Sequence, residues 1–195
     1  AIEYVGICSF EGAKITSADL SSAEFIGADA FSNCGDLADV KLGNSLEVID
    51  SGAFENCFAI TTFVIPDSVE KVGGAILVGC TGIKNLTIPK IYWGSLASLF
   101  SGYLSGDIDN GSYYGSIPGE VPTLDCVTIT KQTEIPDGAF EDCTKIKKIV
   151  LPSNTTSIGK NAFLNCYMLV DFKIPDGIQS IGKNAFGGID NLDLF

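Results

Sequence analysis

Ala53-Phe54-Glu55-Asn56-Cys57 is the stretch whose reading decides the fold, because the chain keeps returning to it. It recurs as Ala30-Phe31-Ser32-Asn33-Cys34, Ala139-Phe140-Glu141-Asp142-Cys143 and Ala162-Phe163-Leu164-Asn165-Cys166. Ile76-Leu77-Val78-Gly79-Cys80 is a degraded copy, and Ala185-Phe186-Gly187-Gly188-Ile189 has lost its cysteine. Phe31, Phe54 and Leu77 are 23 residues apart, as are Phe140, Phe163 and Phe186. One further step from Leu77 reaches Phe100, and only the 40 residues from Phe100 to Phe140 break the beat. A fixed period of this length is the signature of a solenoid.

Other landmarks keep the same step. Ile65-Pro66 and Ile88-Pro89 are 23 apart, as are Leu151-Pro152 and Ile174-Pro175. Ile26-Gly27, Val72-Gly73, Ile158-Gly159 and Ile181-Gly182 mark a turn in each coil. An apolar-x-x-apolar-x-apolar run recurs in the coils, followed by proline in Ile60-Phe63-Ile65 and Ile83-Leu86-Ile88 but not in Leu37-Val40-Leu42 or Leu124-Val127-Ile129. Its last three residues alternate in, out, in, as a half-buried strand should. Proline lacks an N–H and ends the ladder. Val69 with Val72, and Ile178 with Ile181, read as a second narrow strand on another face. The Ala-Phe-x-x-Cys segment reads as a helical or 3₁₀ turn that closes the coil. Strands one per coil, stacked in parallel at ~4.8 Å, predict a seven-strand sheet roughly 30 Å across as one wide face.

These landmarks resemble the leucine-rich repeat of BspA-like bacterial surface proteins, from about Ile15 to Phe195. Even the irregular stretch, Tyr/Gly/Ser-rich and followed by Val127-Thr128-Ile129-Thr130, is similar to an insertion in some family members. The fold class expected is a mainly β solenoid, a leucine-rich-repeat right-handed coil with a parallel sheet and about seven coils. The expected organisation is a single domain, 1–195, with an irregular insertion at about 101–122. The resemblance implies an extracellular, cell-surface location and a role in adhesion. The partner it implies is a protein or glycan on another cell or matrix. It implies no catalytic site.

Composition narrows the partners. There are 12 basic residues, all lysine, against 24 acidic ones, no histidine, and a formal net charge of −12. Nucleic-acid binding needs basic density against phosphate, so it is disfavoured, and anionic membranes are disfavoured with it. No apolar run approaches the ~20 residues of a spanning helix, so direct membrane insertion is not expected. No signal peptide is visible at Ala1-Ile2-Glu3-Tyr4-Val5. Residues 1–14 are hard to phase and read as a cap or the tail of a coil. Both ends fall inside coils, which suggests a processed chain or an excised fragment, with signal and anchor elsewhere.

Candidate sites divide into five. Cys34, Cys57, Cys80, Cys143 and Cys166 share one phase, and free cysteine is among the most buried residues. A ladder of buried thiols is therefore expected rather than a metal or disulfide site; no CxxC pair and no histidine support zinc. Cys126, outside that phase, is expected to be the most accessible thiol. Catalysis lacks a histidine base, and Asp and Glu are scattered at turns, so no enzyme activity, cofactor or metal is expected. Asp107 and Asp109 partly follow a calcium loop. The EF-hand spacing fails, however, with Ser112 sixth and Pro118 twelfth, and a polar turn is the plainer reading.

The remaining two are binding surfaces. Ser101 to Pro122 has no helical or strand period, and long loops of this kind are often functional. It carries Tyr103, Tyr113 and Tyr114, with Tyr92 and Trp93 just before. Such rings offer large, stiff contact area with a polar handle. They either face a ligand or fold back over the fifth coil; Tyr103, in the cysteine phase, is expected to point inward. The outward row of the sheet is the last candidate: Thr62, Asn85, Thr87, Thr128, Lys148, Asp171 and Lys173. A solvated surface explains that row as well as a ligand does. The function expected is a surface binding module, the alternative a passive spacer displaying other domains.

Overall fold

The structure is a computed structural model, which describes residues 2–103, 106–107, 112–113, 116–117 and 121–189. The fold is a leucine-rich-repeat β-solenoid of about seven coils with a step of about 23 residues. Two compact units are distinguished: residues 1–83 with 98–120, and residues 84–97 with 121–195. The first contains β1 (Tyr4–Val5), β2 (Ser17–Leu20), β3 (Phe25–Ile26), β4 (Asp39–Leu42), β5 (Val48–Ile49), β6 (Thr62–Val64) and β7 (Lys71–Val72). The second opens with β8 (Asn85–Ile88). The first resumes with β9 (Gly102–Tyr103), β10 (Gly106–Asp107), β11 (Ser112–Tyr113) and β12 (Ser116–Ile117). The second then continues with β13 (Cys126–Ile129), β14 (Glu134–Ile135), β15 (Lys148–Val150), β16 (Ser157–Ile158), β17 (Asp171–Phe172) and β18 (Ser180–Ile181). A 3₁₀ helix, Leu96–Leu99, is the one helix among the described residues.

Each coil is built on an alternation of backbone donors. The amides of Phe31, Asn33, Phe54 and Asn56 donate to carbonyls 22 residues further on, at 2.7–3.1 Å. Those of Ala30, Ser32 and Cys34 donate instead to the carbonyl three residues back. Unit two repeats this: Phe140, Asp142, Phe163 and Asn165 bond to the next coil, Glu141, Cys143, Leu164 and Cys166 to their own turn. The expected helical turn is thus a chain of tight turns whose alternate amides face the neighbouring coil. That geometry needs two left-handed residues four apart. They are Asp29 and Asn33, Gly52 and Asn56, Ala75 and Gly79, Gly138 and Asp142, Asn161 and Asn165, and Asn184 and Gly188. All but Ala75 are Gly, Asn or Asp, the residues that enter this region at least cost.

The same device resolves residues 1–14. Cys8 and Gly12 are a left-handed pair, and Cys8, Phe10 and Gly12 donate to Ala28, Ala30 and Ser32. β1 pairs in parallel with β3. This segment is therefore a coil in its own right, offset by two residues from the later step. Val5-Gly6, 21 residues before Ile26-Gly27, was the available signal.

Phenylalanines in phase fill the interior. Phe10, Phe31 and Phe54 stack at 5.0 and 5.3 Å within 3° of parallel. Phe140, Phe163 and Phe186 stack at 5.2 and 5.1 Å. Phe100, at the place the 23-residue step assigns it, is fully buried.

The short second strands form parallel sheets, β1-β3-β5-β7 in unit one and β14-β16-β18 in unit two. Each Ile/Val-Gly turn brings backbone against backbone. A Cβ on Gly73 would lie 2.3 Å from the amide nitrogen of Ser51. The longer strands do not form the single seven-strand sheet expected. β2 and β4 make a ladder of their own that does not take in β6, and β8, β13, β15 and β17 form a parallel ladder in unit two. Burial follows this division: Val40 and Leu42 of β4 are only half buried, whereas Phe63, Leu86, Val127, Ile149 and Phe172 are buried.

The insertion also departs from expectation. Its described backbone forms two antiparallel ladders, β9 with β12 and β10 with β11. Two-residue strands rich in Gly and Ser are too short to show an alternation in sequence.

Backbone strain at one position gives a stability prediction. Ala75, at φ 64°, is the one alanine in a left-handed site, where a Cβ costs roughly 1–2 kcal/mol. Ala75→Gly should raise unfolding free energy by about 0.5–1 kcal/mol after the entropy cost of glycine. Gly73→Ala should lower it by about 2 kcal/mol or more. Urea unfolding followed by circular dichroism reads both.

Candidate binding face

The four-strand ladder of unit two places most of the predicted row on one face. Register aligns Asn85, Cys126, Lys148 and Asp171 in one column, and Thr87, Thr128 and Val150 in the next. Lys148 bonds Asp171 across neighbouring strands at 2.5 Å, and that hydrogen bond holds its ammonium above the usual lysine range. Lys147 bonds Asp125 at 2.7 Å and holds that carboxyl below its usual range. Both pairs are solvent-exposed and contribute little to stability. Lys148, Asp171 and Lys173, with Val150 and Ser153, line a shallow depression of about 290 Å³. Thr62 is exposed on β6 of unit one.

The aromatic candidates separate. Tyr92 is buried, with the Lys90 ammonium 5.5 Å from its ring centre, so it fills the fifth coil rather than presenting a contact surface. Trp93 is 41% exposed on a left-handed backbone (φ 56°) followed by Gly94 at φ 77°. Tyr113 and Asp107 lie in β11 and β10, but their side chains, and that of Tyr103, are outside the description. Tyr114 and Asp109 lie outside the described residues.

A second hollow of about 780 Å³ was not foreseen. It is lined by Lys90, Lys131, Gln132, Glu134, Asp137 and Ser157, among others. The Gln132 side chain accepts a 2.7 Å bond from the Ile91 amide. The hollow adjoins Pro136, which occupies the rung where Gly159 and Gly182 donate an N–H to the preceding coil. A proline there was the available signal.

The in-phase cysteines are buried and free. Their thiols donate to the carbonyl of the preceding coil's phenylalanine: Cys34 to Phe10, Cys57 to Phe31, Cys80 to Phe54 and Cys166 to Phe140, at 3.0–3.2 Å. Cys8, not Cys126, is the exposed thiol; Cys126 is half buried. Cys8 sits at a left-handed turn apex in the phase of Asp29 and Gly52, so it points away from the ladder. Among the described residues, no group of three or more His, Cys, Asp or Glu side chains could hold a metal ion. No described helix is long and apolar enough to cross a membrane.

Parallel strands, in-phase phenylalanines and paired left-handed turns define a leucine-rich-repeat protein. The BspA type leucine rich repeat region matches residues 3–103 and 121–195 in six copies, and the chain belongs to that family. Among solved structures it is similar to a leucine-rich repeat protein from Eubacterium ventriosum, at 24% identity and TM-score 0.61, over 91% of this chain and 44% of that one. It also matches the Treponema pallidum leucine rich repeat protein, at 21% identity and TM-score 0.47, over 97% and 71%. A third match is a leucine rich cell surface protein from Faecalibacterium prausnitzii, at 21% identity and TM-score 0.34, over 88% and 51%. No curated protein matches the chain.

Burial pushes the Cys80 and Cys166 thiols up to about 12, and raises Cys57 and Cys143 strongly as well. The folded state therefore keeps these protons to higher pH than the unfolded state. Their contribution is complete below about pH 9 and is lost as pH rises toward 12, at about 1.4 kcal/mol per unit per thiol. Unfolding free energy should fall with pH in that window, and Cys80→Ala should remove about one proton from the slope. At neutral pH, a thiol reagent should label Cys8 first and the in-phase five only on unfolding.

Proposed function

We propose that the chain is a non-catalytic binding module of a bacterial cell surface. It recognises a protein or glycan on a neighbouring cell or matrix by non-covalent contact. The observation that carries this reading is the polar face of β8, β13, β15 and β17, where Asn85, Thr128, Lys148, Asp171 and Lys173 share one side of a rigid parallel ladder. Side chains on a stacked ladder are held by backbone bonds, so a ligand meets a surface already ordered, which lowers the cost of binding. Trp93 adds an exposed indole in the same unit. Membership in the BspA-type family supports the surface setting.

The spacer reading draws on the burial of Tyr92, which removes one ring from the contact surface and spends it on the core. The two readings separate in one experiment. The intact chain, a Lys148→Ala/Asp171→Ala/Lys173→Ala variant, and a variant with residues 102–121 replaced by a Gly-Ser link are offered to host matrix proteins and glycans. We expect a ligand held by the intact chain and weakened about tenfold or more by the triple change, with fold retained by circular dichroism. Loss with the Gly-Ser variant as well adds the insertion to the site. A ligand indifferent to the triple change removes this face from the function. Binding by none of the three chains favours the spacer.

A further inference from the structure

The short-strand sheet of unit one carries a surface that its counterpart in unit two lacks. In unit one the outward positions of β1, β3, β5 and β7 are Tyr4, Phe25, Val48 and Lys71, aligned rung by rung. Tyr4 is 64% exposed and stacks on Phe25 with ring centres 4.8 Å apart and 4° between planes. Phe25 and Val48 are half buried. The residues just before these strands are Glu3, Glu24, Glu47 and Glu70, all exposed and in one column. Their backbones are bonded in sequence, Glu24 to Glu3, Glu47 to Glu24 and Glu70 to Glu47.

The fold does not demand either feature. In unit two the outward positions of β14, β16 and β18 are Glu134, Ser157 and Ser180. The column before them is Thr133, Thr156 and Gln179, bonded in the same way. Polar residues therefore serve at both positions. Unit one instead places the stacked Tyr4–Phe25 pair on this face, followed by Val48 and Lys71, and like charges on adjacent rungs destabilise a sheet. A feature that costs stability where neutral residues would serve points to a role outside folding.

We propose that this face binds a basic, extended polypeptide segment of a partner. The charge complementarity is direct: the glutamate column attracts lysine or arginine, and the stacked Tyr4–Phe25 faces accept the aliphatic stem or guanidinium plane. Phosphate-bearing partners, nucleic acid or anionic lipid, are repelled by the same column. The spacing suits an extended chain. Rungs lie ~4.8 Å apart and alternate side chains of a strand lie roughly 7 Å apart, so three basic side chains of such a segment run alongside four glutamates, each set covering about 14 Å. The face belongs to unit one and is separate from the polar ladder proposed above, so its failure leaves that reading standing.

The test is fluorescence anisotropy with a labelled alternating Arg-Thr peptide of about ten residues. We expect saturable binding, weakened by salt, and none for the alternating Glu-Thr peptide. The Glu3→Gln/Glu24→Gln/Glu47→Gln variant should bind at least about tenfold more weakly. It should also unfold at the same or higher urea concentration, because like charges have been removed from neighbouring rungs. Tyr4→Ser/Phe25→Ser should weaken binding to a similar degree. The Asp39→Asn/Glu134→Gln/Asp176→Asn variant removes the same charge from exposed positions elsewhere and should bind within about twofold of the intact chain. No saturable binding overturns the proposal. So does an equal loss in that second triple variant, which would mean attraction to overall negative charge alone.

Discussion

The hydrogen bond from one coil's turn to the next is the constraint on which everything else rests. Phe31, Asn33, Phe54 and Asn56 can reach carbonyls 22 residues away only if the turn between them is folded tightly at two left-handed residues. That requirement favours Gly, Asn or Asp at those places, with Cys8 and Ala75 the exceptions. It sets the phenylalanine between them pointing inward, and it brings Cys34, Cys57, Cys80 and Cys166 beneath the preceding coil's carbonyl. Stability is then approximately a sum over coils and their contacts with nearest neighbours. What the constraint leaves unspecified is the outward side chain on each strand.

That freedom is where the two units differ. On the long-strand ladder of unit two it is spent on Thr, Asn, Lys and Asp, with charge balanced across strands by the Lys148–Asp171 pair. On the short-strand sheet of unit one it is spent on Tyr4, Phe25 and a glutamate column. A backbone that repeats while its surface does not is a means of presenting different surfaces from one frame.

The repeat was legible because its landmarks are backbone requirements. Ala-Phe-x-x-Cys, Ile-Gly and Ile-Pro each answer to a turn, a close approach or the end of a ladder, and each kept its place. Phe100 fell where the step put it although its neighbours did not match. Residues 1–14 read only as a cap or the tail of a coil because a two-residue offset hides Val5-Gly6 from a 23-residue comparison. Cys8 is exposed because it stands at that coil's left-handed turn. The insertion's short ladders left no mark, since two residues cannot display a period. The glutamate column stands at the same 23-residue step from Glu24 to Glu70, but an exposed charge answers to no requirement of the backbone and so is no landmark of the fold. Tyr92 and Trp93 are adjacent and of similar character, and only backbone geometry decides that one is buried and the other exposed.

Native-state hydrogen exchange measures the central claim most directly. If the bonds between coils carry the fold, the amides of Phe31, Asn33, Phe54 and Asn56 should exchange only on unfolding of unit one. Those of Phe140, Asp142, Phe163 and Asn165 should do the same for unit two. Protection within each set should agree to within about 1 kcal/mol. Exchange of these amides at rates typical of open loops, while the strand amides stayed protected, would contradict the account.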